Sequence, residues 1–117
     1  MTNEERRRSP RIDRRFMVKY RCPSRGQAQW MMSPIKNISS SGVRFIGETG
    51  YPTGVVLELL LHLPTSTEAV PVNGVVVWQR GGAMQLTEHG VQFVSASAAA
   101  KQQIQQALEF LLKKRES

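Results

Sequence analysis

Val55-Val56-Leu57-Glu58-Leu59-Leu60-Leu61-His62-Leu63 decides the fold class. Its odd positions, Val55, Leu57, Leu59, Leu61 and Leu63, are all apolar, while Glu58 and His62 fall on the even ones. Alternation of period two marks a strand with one buried face, because successive side chains of extended backbone point to opposite sides. Upstream, Phe16, Val18 and Tyr20 alternate with Met17, Lys19 and Arg21 in the same way. Pro23-Ser24-Arg25-Gly26 makes a turn, and Gln27 to Ile38 forms a second, less regular strand with an interruption expected at Pro34. Ser39-Ser40-Ser41-Gly42 is a turn, after which Val43 to Ile46 is a short strand with Val43 and Phe45 on one face.

Downstream, Val70 to Gln79 is a strand with an irregularity expected at Asn73-Gly74, since an internal glycine often marks a bulge. Arg80-Gly81-Gly82 is assigned as the hairpin turn. Met84-Gln85-Leu86 and Gly90 to Val94 are short strands on either side of Thr87-Glu88-His89. The chain ends in a helix, with Ser95 or Ser97 as N-cap. Ile104, Ala107, Leu108, Leu111 and Leu112 form its apolar stripe. Several short strands separated by turns indicate an antiparallel barrel or sandwich, with one terminal helix covering part of it.

The 117 residues suit one domain, and a 40% hydrophobic fraction suits an ordinary globule with a core of its own. Cys22 is the only cysteine, which excludes a disulfide framework and a multi-cysteine metal site and leaves it as a packing residue or bystander. No apolar run reaches the length of a membrane span. The charged residues from Glu4 onward leave no apolar signal segment, so a cytoplasmic location is expected.

Charge is unevenly placed. Residues 1–25 carry nine arginines and lysines against three acids, a net +6 of the chain's +7. The chain is thus a nearly neutral domain with a cationic arm, which suits a phosphate-bearing partner or simply a solvated tail. Pro10 biases Ser9 toward extended backbone. Arg7 and Arg11, four apart, can then lie up to about 13 Å from each other at roughly 3.3 Å per residue. Arginine grips phosphate with two parallel bonds, and its planar fork also pairs with the guanine edge or stacks on the base. Asn37 adds an amide, Ser39 a hydroxyl, and Gly42 permits close backbone approach and an unusual dihedral.

Arg7-x-x-x-Arg11 followed by Asn37-x-Ser39-x-x-Gly42 resembles the two-part signature of PilZ domains, bacterial receptors for cyclic di-GMP. Val75-Val76-Val77-Trp78-Gln79-Arg80 and Gly90-Val91-Gln92-Phe93 are similar to late strands of the same family, so the resemblance covers roughly residues 5–112. It implies a six-stranded antiparallel β-barrel of the split-barrel kind with a C-terminal α-helix. The implied division is an arm over 1–14, a barrel over 15–96 and a helix over 97–115. It also implies that Arg7 and Arg11, assisted by Arg8, wrap the ligand's guanines and phosphates. Asn37 and Ser39 would bond a guanine edge, and Gly42 would shape the turn beneath it. Trp78 stands where some members place a ligand-contacting tryptophan, and a barrel-wall aromatic is the other reading. Arg44 alternates away from Val43 and Phe45 and so can face the site, although a simple exposed charge is the preferred reading. Many members have Asp at the position of Asn37, which suggests weaker binding here.

The resemblance further implies an arm that orders on the ligand, in a receptor with no catalytic role, cofactor or metal. A separate downstream effector protein would read the ordered arm. The helix stripe accommodates a monomer or a homodimer. Two alternatives stand beside this reading. A nucleic-acid-binding barrel would need clustered surface aromatics, which eight Phe, Tyr and Trp on mostly core faces do not supply. A PilZ-like adaptor without ligand would be expected to lack the arginine pair. An enzyme is not expected, because His62 and His89 stand in no metal-ligand spacing and no nucleophile motif is present.

Overall fold

The computed structural model describes residues 16–48, 50–82 and 85–116. In chain order the elements are β1 (Met17–Cys22), β2 (Gln27–Ile38), β3 (Gly42–Gly47), β4 (Val56–His62), β5 (Val70–Gly81), β6 (Thr87–Ser95) and α1 (Ala98–Glu116). The six strands close into a barrel in the order β1-β2-β3-β6-β5-β4. Every neighbouring pair is antiparallel, including the closing pair β1–β4. Closure removes the two free sheet edges that an open arrangement would expose.

The alternation seen in the sequence becomes the barrel wall. Leu57, Leu59, Leu61 and Leu63 point inward and are fully buried, together with Val18, Tyr20 and Phe45. Each such side chain stabilises the fold by roughly 1.5–3 kcal/mol relative to exposure. Cys22 is buried among them, and its Sγ lies 3.5 Å from the Val56 carbonyl oxygen, so it is a packing residue. The helix closes one side of the barrel through Ala100, Ile104 and Ala107. Ser97 is its N-cap, its Oγ accepting from the Ala100 N–H at 3.0 Å. The apolar stripe therefore begins one turn earlier than the sequence suggests, and Leu112 at its end is exposed.

Two strand boundaries differ from expectation. β2 runs straight through Pro34, which pairs with Met17 at the very start of β1, where one missing donor interrupts little. The hairpin tip also moves. Arg80 and Gly81 remain paired with Glu88 and Thr87, so the turn lies beyond them. Gln85 is in left-handed backbone (φ 63°), and the Gly82 N–H donates to the Leu86 carbonyl at 2.7 Å. Met84 lies outside the described residues, and the strand expected at 84–86 is absent at Gln85 and Leu86. Thr87-Glu88-His89 belongs to β6 instead. The polar appearance of this tripeptide hides its burial: Glu88 is neutralised by cations on the outside, and His89 is held in the core.

Candidate functional site

Two β-bulges build the site. Along β2, Ser33 and Ile35 face inward, and strict alternation would turn Asn37 into the core as well. The register changes between Ile35, paired with Phe45, and Asn37, paired with Arg44, so Lys36 is one residue too many on β2. As a result Lys36 and Asn37 are both exposed, and Ile38 takes the inward position. β5 does the same. Val76 pairs with Val91 and Trp78 with Gly90, leaving Val77 as the extra residue. Val76 is buried, and Val77 and Trp78 both stand outside, Trp78 with 37% of its surface exposed. Trp78 is therefore not a core aromatic.

The bulges bring distant residues into one lateral row. Asn37 is opposite Arg44, Arg44 is opposite Gly90, and Gly90 is opposite Trp78. Neighbouring strands lie about 4.8 Å apart, so the row spans roughly 14 Å across β2, β3, β6 and β5. It floors an outer-face groove of 430 Å³ whose walls include Asn37, Ser39, Gly42, Arg44, Trp78 and Gly90. The floor is flat at its centre because Gly90 has no side chain. The Trp78 indole lies over that gap, and a Cβ on Gly90 would collide with the ring.

The polar turn at one end is pre-formed. The N–H groups of Ser41 and Gly42 each donate to Ser39 Oγ at 3.2 Å, and the Ser39 N–H donates to the Gly42 carbonyl at 2.9 Å. Ser39 thus spends its acceptor capacity on the turn, and its O–H donates within the turn as well, 3.5 Å from the Gly42 carbonyl oxygen and 3.2 Å from Ser41 Oγ. Gly42 has ordinary strand backbone, so the unusual dihedral expected of it is not present. Close approach is what requires glycine: a Cβ there would collide with the Val91 carbonyl oxygen of β6.

One step along the strands, the outer face is charged. Glu88 has only 9% of its side chain exposed, yet it meets three cations from three strands. Arg80 Nη2 donates to Oε1 at 2.9 Å, while Arg44 Nε and Lys36 Nζ lie 3.3 and 3.5 Å from Oε2. The Arg80 hydrogen bond, with the charges of Lys36, Arg80 and Arg44 behind it, outweighs burial and holds the Glu88 carboxyl below the usual carboxylate range. Inside the barrel, His89 is fully buried. Its ring stacks on Phe45 at 5.2 Å, and its Nε2 accepts the Tyr51 N–H at 3.2 Å, which assigns the neutral tautomer with the proton on Nδ1. Burial pushes its pKa below the usual histidine range.

The structure brings together Asn37, Ser39, Gly42 and Trp78 from three strands and a turn. Arg7, Arg8 and Arg11 lie outside the described residues. The described chain begins at Phe16, whose carbonyl accepts the Ile35 N–H at 3.1 Å and which shares a 580 Å³ cavity with Lys36 and Asn37. The described chain therefore begins beside Asn37. Arg44 lines the groove, the side to which its alternation with Val43 and Phe45 could turn it, rather than standing as a simple exposed charge. Gly90 also lines the groove and was not expected there, because it gains its role only from the register with Trp78. Among the described residues no three His, Cys, Asp or Glu side chains gather as a metal site, and no helix is long and apolar enough to cross a membrane.

A family model described as PilZ domain matches residues 5–110. Among solved structures, the inhibitor of motility MotI/DgrA of Bacillus subtilis superposes with a TM-score of 0.69 at 17% identity, covering 86% of this chain and 48% of that one. MrkH of K. pneumonia gives 0.69 at 18% identity, covering 87% and 47%. The complex of K. pneumonia MrkH with c-di-GMP gives 0.62 at 16%, covering 86% and 49%. At such identities the likeness is one of fold, and the chain spans about half the length of these proteins. No curated protein matches it.

Proposed function

The chain belongs to the PilZ domain family, and on that premise we propose that it is a receptor for cyclic di-GMP that passes the signal to a downstream protein through its N-terminal arm. The observation that carries this reading is the row Asn37–Arg44–Gly90–Trp78. It sets an amide at one end and, at the other, an indole lying over Gly90. A planar base suits that shape: it lies against the outer face of the indole, gaining stacking worth about 1–3 kcal/mol per base. Asn37 and the Ser39 hydroxyl, whose O–H leaves the Gly42 carbonyl, supply hydrogen bonds to its edge.

Phe16, the first described residue, lies beside Asn37, and in this reading Arg7 and Arg11 bind the two phosphates and the outer faces of the bases, with Arg8 assisting. Neutralising the arm removes its self-repulsion and folds it over the groove. The ordered arm is a new surface, and an effector protein reads it. The role is that of a receptor without catalysis. His89, the best-placed histidine for chemistry, is sealed in the core. A nucleic-acid role is less well served. Trp30 and Trp78 are the exposed aromatic rings on strands, and Trp30 is covered by the Arg21 guanidinium at 4.3 Å rather than offered as a platform.

Hydrogen exchange over residues 1–14, with and without cyclic di-GMP, tests the relay. Exchange slows on ligand addition if the arm orders over the groove. Unchanged exchange at saturating ligand contradicts it.

A further inference from the structure

Glu88 is a single carboxylate with three cations on it, from β2, β3 and β5. Like charges brought this close repel one another, and one anion offsets only part of that. Among the described residues the cluster therefore carries a surplus of two positive charges on one patch of the outer face. Arg80 commits Nη2 to a hydrogen bond with Glu88, whereas Arg44 Nε faces Oε2 at 3.3 Å as an ion pair without a hydrogen bond. A guanidinium has five N–H donors, so both retain donors for a second anion.

The patch is placed to meet a ligand in the groove. Arg80 and Glu88 form the cross-strand pair next to Trp78 and Gly90, two residues along each strand on the β6 side and about 7 Å away at ~3.4 Å per residue. Arg44 lines the groove, and Lys36, Arg80 and Glu88 line the adjoining 320 Å³ cavity, so the Arg44–Glu88 pair is the wall between the two. From a base stacked on the indole over Gly90, the step to that wall is the step from a nucleobase to its own phosphate.

We propose that Lys36, Arg44 and Arg80, gathered on Glu88, form an anion subsite that holds a phosphodiester of the dinucleotide seated in the groove. This inference rests on the reading of the groove given above. Glu88 keeps the three cations in place when the groove is empty, and their remaining donors turn to the phosphate when it is filled.

Isothermal titration of cyclic di-GMP into the full chain, at low and high salt, tests the subsite with Lys36→Ala/Arg80→Ala. These side chains are 50% and 74% exposed, so the chain should stay folded, with a lower melting temperature because Glu88 loses two of its three counter-charges. The expected result is about tenfold weaker binding, the scale of one charge-assisted contact, with a shallower salt dependence than wild type. The charge-conserving Lys36→Arg/Arg80→Lys should bind as wild type does. Unchanged affinity and salt dependence in the alanine variant overturns the subsite while leaving the receptor reading intact. An equal loss in the charge-conserving variant also overturns it, because packing rather than charge would then be responsible. Absence of binding by wild type overturns the receptor reading and the subsite with it.

Discussion

The Trp78 indole lies over the Cα of Gly90, and a Cβ at position 90 would collide with its Nε1, Cε2 and Cδ1 atoms. The two residues are cross-strand partners, brought face to face by the extra residue Val77. A barrel surface gains a flat-floored aromatic site here because one strand carries a bulge and its neighbour lacks a side chain.

Gly90→Ala should separate binding from folding. The ring is more than one third exposed and can swing outward, so stability should fall by no more than about 1–3 kcal/mol, the range for a modest overpacking. The groove, however, loses its floor, and affinity for cyclic di-GMP should drop at least tenfold, with a shift in tryptophan emission. Calorimetry and fluorescence check both. Wild-type affinity in a folded Gly90→Ala variant would mean that the ligand does not use this floor.

Asn37→Asp should tighten binding several-fold, because a carboxylate makes charge-assisted bonds to the guanine edge where an amide makes neutral ones. Position 37 sits outward on the bulge and directly opposite Arg44. An unchanged or weaker affinity in a titration would show that the new carboxylate serves Arg44 rather than a base, and would count against the role given to Asn37.

His89 predicts an acid limit to stability. Its pKa is lowered in the folded chain, so below about pH 6.5 the unfolded chain binds a proton that the folded chain does not. Stability is then fully present above that pH. It is lost as pH falls, at up to about 1.4 kcal/mol per pH unit for one group, until the folded-state pKa is reached. His62, whose pKa burial also lowers, adds in the same direction. Urea unfolding between pH 8 and 5 should show the decline, and His89→Gln should flatten it. An identical slope in that variant would place the effect elsewhere.

Much of the barrel was legible because Val55 to Leu63, Phe16 to Arg21 and Val43 to Phe45 keep strict alternation, and a closed antiparallel barrel buries one face of each strand. The irregularity at Asn73-Gly74 was legible because glycine marks it, and the register does slip there. The bulges at Lys36 and Val77 carry no such mark. They arise from closing the barrel, where strands must bend, and they decide that Asn37 and Trp78 face outward. Glu88 and His89 looked like loop residues because their compensations are non-local: three cations on other strands for the first, and a loop N–H with an aromatic stack for the second.

The most direct test of the central claim is isothermal titration of cyclic di-GMP into the wild-type chain and into Arg7→Ala/Arg11→Ala at moderate salt. Saturable binding by wild type that is lost in the double variant is the predicted result, and its stoichiometry distinguishes one ligand from an intercalated pair. No heat and no shift in melting temperature with wild type would contradict the account.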